Sequence, residues 1–203
     1  EYAEKARSTP SGRGDTTLDK LVMDIRTETM KAKISEKEKA AAANPEDAQL
    51  QQELEDLRKE EGVFRLQTSK EYVEKYPNDF AARFELGKLY FEQFKNDDAV
   101  QQFQFAQRNP KVRFQAILFL GRAYLAKKFT DLAIEQLEIA KKETPIMNDL
   151  KKEAIYELGK AFELKGDEPR AIEEFKAIYA ADIGYRDVAD RVNAFYEKQQ
   201  ANS

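Results

Sequence analysis

Glu85-Leu86-Gly87-Lys88-Leu89-Tyr90 returns as Phe119-Leu120-Gly121-Arg122-Ala123-Tyr124 and again as Glu157-Leu158-Gly159-Lys160-Ala161-Phe162. Each copy runs Leu-Gly, a basic residue, a small or aliphatic residue, then an aromatic. Twelve residues after each glycine stands an alanine (Ala99, Ala133, Ala171), and four further on a large apolar residue (Phe103, Leu137, Phe175). The first two glycines are 34 residues apart and the next two 38. A period in this range marks a solenoid, in which each supersecondary unit buries its apolar face only against its neighbours. The expectation is an all-α superhelix of about three helical hairpins. The four extra residues between the second and third glycines fit the loop around Ile146-Met147-Asn148-Asp149.

Composition narrows the chemistry. The 203 residues are 35% charged and 41% hydrophobic with only 8 Gly and 6 Pro, which suits a helix-rich chain. A net charge of −4 carries no basic footprint, so nucleic acid is not an expected partner. Without Cys or His, the chain has no ligands for structural zinc, no thiol nucleophile and no Ser-His-Asp triad. No phosphate loop, nucleotide fingerprint or metal-ligand spacing is present, so neither a cofactor nor a metal is expected. The carboxylate pairs Asp97-Asp98 and Glu173-Glu174 are neighbours in sequence and point in different directions on a helix. They read as solvated helix starts and faces, so no catalytic residue is expected. No run of 18 apolar residues is present to make a transmembrane segment. The first residue is Glu1 and not Met, which leaves an upstream signal peptide or domain open, and absent cysteine does not locate the protein.

Outward from the repeats, the chain divides into five stretches. Residues 1–16 hold Ser8, Thr9, Pro10, Ser11, Gly12 and Gly14 and read as a flexible arm. Within it, Arg13-Gly14-Asp15 spells an adhesion tripeptide, taken as a chance match. Residues 17–61 read as a helical hairpin. Its first helix starts at Thr16 or Thr17, with Asp19 completing a capping box if Thr16 is the cap, and carries a stripe of Leu18, Leu21, Val22 and Ile25. At Asn44-Pro45-Glu46-Asp47 the pattern predicts a break and a restart, with Asn44 as cap and Pro45 in the first turn. The second helix carries a coiled-coil-like seam of Leu50, Leu54, Leu57 and Phe64, interrupted by Glu61. Residues 62–77 read as half of a degenerate repeat, 78–183 as three full repeats, and 184–203 as a capping helix and tail. The cap's apolar positions are Val188, Val192, Phe195 and Tyr196.

This register resembles the tetratricopeptide repeat, over residues 78–183 and more weakly over 62–77. Pro110 and Pro145 stand at the family's closing position, whereas the third unit has Ile183 near that place. Where the family often places a bulky aromatic three residues before the leucine, this chain has Arg83, Ile117 and Ile155. The resemblance implies that a peptide or partner protein binds along the first helix of each unit. Helical spacing from the basic residue then lists the lining as Phe84, Lys88 and Phe91, then Leu118, Arg122 and Leu125, then Tyr156, Lys160 and Glu163. Lys88, Arg122 and Lys160 would form a positive ladder that favours an acidic partner.

Each of these has a plainer reading. Lys88 is in reach of Glu85 or Glu92, Lys160 of Glu157 or Glu163, and Phe84 and Tyr156 are also candidates for burial between units. Arg122 has only apolar neighbours on its own helix, so its partner must come from solvent, an adjacent helix or a ligand. The leading reading is therefore a non-catalytic interaction scaffold. The alternative is a structural subunit that forms a homo-oligomer, or docks into a larger assembly, through its N-terminal helices.

Overall fold

Where the sequence breaks its periodicity, the backbone breaks too. The structure is a computed structural model that describes residues 2–9 and 14–201, the side chain of Arg7 excepted. Among the described residues all regular structure is helical: α1 (Tyr2–Ser8), α2 (Thr16–Ala43), α3 (Ala48–Lys75), α4 (Phe80–Glu92), α5 (Asn96–Ala106), α6 (Arg113–Ala126), α7 (Thr130–Glu143), α8 (Asp149–Lys165), α9 (Glu168–Ala181) and α10 (Val188–Ala201). Pro10, Ser11, Gly12 and the arginine of Arg13-Gly14-Asp15 lie outside the described residues. The part of the expected arm before them, Tyr2–Ser8, is a short helix.

Two caps differ from the expectation. Asp15, not Thr16, caps α2: its carboxylate accepts the Thr17 N–H at 2.8 Å and the Leu18 N–H at 3.2 Å. Asn44 closes α2, its side-chain amide donating to the Ala40 carbonyl, and Asp47 opens α3 by accepting the Leu50 N–H at 3.0 Å. In both cases an aspartate carboxylate accepts the free N–H groups of the first turn in place of the Thr or Asn that the pattern favours.

The chain forms two units. The first, Glu1–Leu89, is built on α2 and α3, which run antiparallel. Lys37 pairs with Glu53 and Glu38 with Arg58 (2.7 Å), whereas Asp19 pairs with Lys75 (2.5 Å), so the end of α2 lies beside the first half of α3 and its start beside the end of α3. Val22 and Ala41 on α2 and Leu54 and Val73 on α3 are buried. Glu61 interrupts the seam as expected and is mostly shielded, with its carboxylate 3.4 Å from Arg65 one turn on. α3 crosses residues 61 and 62 without a break.

The second unit, Tyr90–Ser203, stacks α5 to α10 in chain order, each helix packed on the next. Ile117, Leu137, Ile155, Phe162, Phe175, Ile178 and Val188 are among its fully or nearly fully buried core. Ala99, Ala133 and Ala171 are buried, and the residues that sit on Gly121 and Gly159 are the apolar ones sixteen further on, Leu137 and Phe175. A Cβ at Gly121 would lie 2.7 Å from Cγ of Leu137, and one at Gly159 would lie 2.7 Å from the Phe175 ring. The glycines exist to let these two large side chains in.

Charges join successive repeats along the edges of the stack. Asp97 pairs with Lys127, Asp131 with Lys165 (2.5 Å) and Glu168 with Lys198 (2.8 Å). In the first two rungs an acid in the first turn of a second helix meets a lysine at the end of the next repeat's first helix, and α10 takes the lysine's place in the third. Its Lys198 therefore puts Val192 where a repeat glycine would fall. A second series joins the start of a first helix to the end of its own second helix: Arg113 to Glu143 (2.5 Å) and Lys152 to Asp182 (2.8 Å).

Candidate partner-binding site

The face expected to receive a partner is the one on which α6 and α8 touch directly. Arg122 rises from α6 with apolar neighbours on its own helix, and its partners come from α8. Its guanidinium lies 2.5 Å from Glu153 and 3.1 Å from Glu157, and 5.2 Å from the Phe119 ring centroid. Glu157 is the buried centre of the cluster, with 8% of its side chain exposed. Its other oxygen accepts from Lys160 at 3.1 Å, and Arg186, from the loop before α10, approaches Glu153 at 3.4 Å and Glu157 at 3.9 Å. Burial works against the charge of Arg122, yet the two carboxylates outweigh it and raise its pKa above the usual guanidinium value.

Tyr156 forms the floor beside this cluster. Its hydroxyl donates to Asp187 at 2.7 Å, and its ring lies under Lys160 (5.8 Å), Arg186 (4.6 Å) and Arg191 (5.7 Å). Burial and the Asp187 carboxylate together push the Tyr156 phenol above its ordinary pKa. Arg191 bonds both Glu163 (2.5 and 2.6 Å) and Asp187 (2.9 Å), which raises its pKa and holds the Asp187 carboxyl below the usual carboxylate range. Arg186 has φ 51°, a left-handed backbone that a non-glycine residue adopts at a cost.

The nine residues singled out in the sequence therefore occupy different situations. Phe84, Leu118 and Tyr156 are buried, and Leu125 packs against the core. Phe91 sets its ring 6.0 Å from Phe119. Lys88 pairs with Glu85 at 2.7 Å and lies 5.0 Å over the Phe84 ring. Arg122 and Lys160 share Glu157 on α8, and Glu163 pairs with Arg191 on α10. Five residues of the cluster were not on that list: Glu157, named only as a possible pair for Lys160, and Glu153, Arg186, Asp187 and Arg191. Glu153 was accessible, because it sits one turn before Glu157 on the same helix face; the other three come from a loop and cap with no repeat pattern to mark them. Among the described residues, no group of three or more His, Cys, Asp or Glu is placed to hold a metal, and no helix is long and apolar enough to cross a membrane.

The family model of the tetratricopeptide repeat matches residues 84–148 and again 118–186, together about half of the chain. The chain belongs to the tetratricopeptide repeat family. Its fold is similar to a crystal structure of MamA (21% identity, TM-score 0.61, covering 70% of this chain and 81% of that one). It is also similar to the TPR-like repeats of a putative kinesin light chain from Podosopora anserina (18% identity, TM-score 0.56, 89% and 95% covered). No curated protein matches the sequence. Membership makes this tetratricopeptide repeat chain a protein–protein interaction scaffold.

Proposed function

We propose that the shared face of α6 and α8 binds a partner segment that presents a carboxylate to Lys160 and Arg186. The observation that carries this is an uneven spread of charge across the cluster: around Glu157, three cations (Arg122, Lys160, Arg186) share two carboxylates (Glu153, Glu157). Arg122 is largely buried by its pairs, so the outer two cations, 39% and 40% exposed, are the ones within reach of a ligand. An incoming carboxylate completes the charge balance through charge-assisted hydrogen bonds above an aromatic floor. Beside it, Asp187 and Glu163 outnumber Arg191, a negative pole suited to a basic residue further along the same segment. The test is fluorescence-polarisation titration of the full chain with peptides of graded acidic content. Binding of acidic peptides should weaken tenfold or more in Lys160→Glu/Arg186→Glu, since one charged hydrogen bond contributes about 1.5–3 kcal/mol. Unchanged binding in that variant sinks the reading.

The second reading, self-assembly through the N-terminal helices, is favoured by a separate feature. A groove of about 810 Å³ runs along α3, with Leu57, Val63 and Phe64 in its lining. Val63 is 69% exposed there.

A further inference from the structure

Seven residues after each repeat glycine, the turn between paired helices takes a left-handed residue: Phe94 (φ 58°), Lys128 (φ 61°) and Gly166 (φ 81°). Glycine is the unstrained choice, and a bulky aromatic is the outlier. Phe94 is also 86% exposed. The turn that carries it is fixed by two backbone bonds, Phe94 N–H to Phe91 O at 3.0 Å and Lys95 N–H to Tyr90 O at 2.9 Å. A solvent-facing phenylalanine on a hydrogen-bonded, left-handed turn has the properties of an interface anchor. Beside it, Lys95 has no carboxylate partner among the described residues.

The groove on α3 offers the complement. Leu57, Val63 and Phe64 supply apolar walls, and its roughly 810 Å³ is ample for one aromatic ring. Most charges on its rim are used: Lys37 pairs with Glu53, and Lys59 with Glu55 at 2.7 Å and Asp56 at 3.9 Å. Glu60, also in the lining, is left with no cation among the described residues. We infer that the chain associates head to tail with a second copy of itself, Phe94 of one copy entering the α3 groove of the next while Lys95 meets Glu60. Such a contact joins two different surfaces, so it is heterologous and leaves a free Phe94 at one end and a free groove at the other. This deepens the self-assembly reading and rests on it; it is independent of ligand binding at Lys160 and Arg186.

Sedimentation velocity on the full chain tests it. The wild type should gain mass with concentration, whereas Phe94→Ala and Val63→Glu should each weaken association tenfold or more while keeping wild-type circular dichroism. Mixing those two variants should give a 1:1 dimer, because one intact Phe94 then meets one intact groove. Lys95→Glu should weaken assembly, and Glu60→Lys added to it should restore it. A wild type that stays monomeric at every concentration overturns both the self-assembly reading and this contact. Assembly lost in Val63→Glu but retained in Phe94→Ala keeps the first and overturns the second. A mixture that stays monomeric overturns the head-to-tail arrangement.

Discussion

A methyl group added at Gly159 would sit 2.7 Å from Cε1 and Cζ of Phe175, a ring with 1% of its surface exposed and no room to retreat. Overpacking of this kind costs about 1–3 kcal/mol. Gly159→Ala should therefore lower the urea midpoint despite the ~1 kcal/mol that alanine gains in a helix. Gly62→Ala should do the reverse, raising stability by about 0.5–1 kcal/mol, because a Cβ there meets nothing within 4 Å. If both substitutions move the midpoint the same way, the close approach at Gly159 is not what the residue is for. Tyr72 gives a pH signature on the same scale. Its hydroxyl lies 3.2 Å from Asp79, and burial together with that carboxylate pushes its pKa up to about 12. An unfolded tyrosine ionises near 10, so the folded state favours the protonated phenol. That contribution is complete below pH 10 and is lost as pH climbs towards 12. Denaturation midpoints measured from pH 9 to 12 should fall more steeply in the wild type than in Tyr72→Phe.

Between helices, the pairing of Arg122 with Glu153 and Glu157 decides how α6 sits against α8. Removing the cation alone, in Arg122→Met, strands a buried carboxylate and should cost about 3 kcal/mol, the lower end for breaking a buried pair because Lys160 remains. Adding Glu157→Leu should recover most of the loss. Two equally unstable variants in thermal melts would show that the pair stabilises through more than charge balance. The helices themselves are legible in the sequence, since α5, α7 and α9 begin within two residues of Asn96, Thr130 and Gly166-Asp167, polar or glycine breaks in the apolar pattern. Arg122's need for a partner was legible too, for its own helix offers only apolar neighbours. The partner was not. Glu153 and Glu157 lie 31 and 35 residues away, and nothing local distinguishes a carboxylate that faces the preceding helix from one that faces water. Arg186 was harder still, because the left-handed position in its loop falls on the arginine and not on Gly184 two residues before it. The caps at Asp15 and Asp47 were missed by one to three residues for a similar reason: several capping side chains stood close together, and only geometry chose among them.

At the scale of the molecule, two units divide the chain at Leu89 and Tyr90, and the repeat stack draws its stability from neighbouring helices alone. A chain beginning at residue 62 should retain cooperative unfolding by circular dichroism, with the midpoint of the second unit unchanged within error. Loss of cooperativity on that deletion would mean that the long helices are part of the repeat core. The edge pairs Asp97–Lys127, Asp131–Lys165 and Glu168–Lys198 add little energy, since exposed ion pairs contribute about 0–1 kcal/mol each. Their value is metrical. The first two use the same pair of positions, ten residues after one repeat glycine and six after the next, and Glu168 stands one residue nearer its glycine, so the pairs mark how far one unit advances on the last regardless of what the α6–α8 face carries. A duplicated stretch of residues 113–148, spliced in after Asn148, would find a lysine or an acid waiting at each new junction. The original Arg122 would then look out on Gln115 and Phe119 of the copy where Glu153 and Glu157 now stand. The lengthened chain would keep its ruler and gain an arginine with no carboxylate: the outer edge measures length, while the inner face is free to change what it recognises.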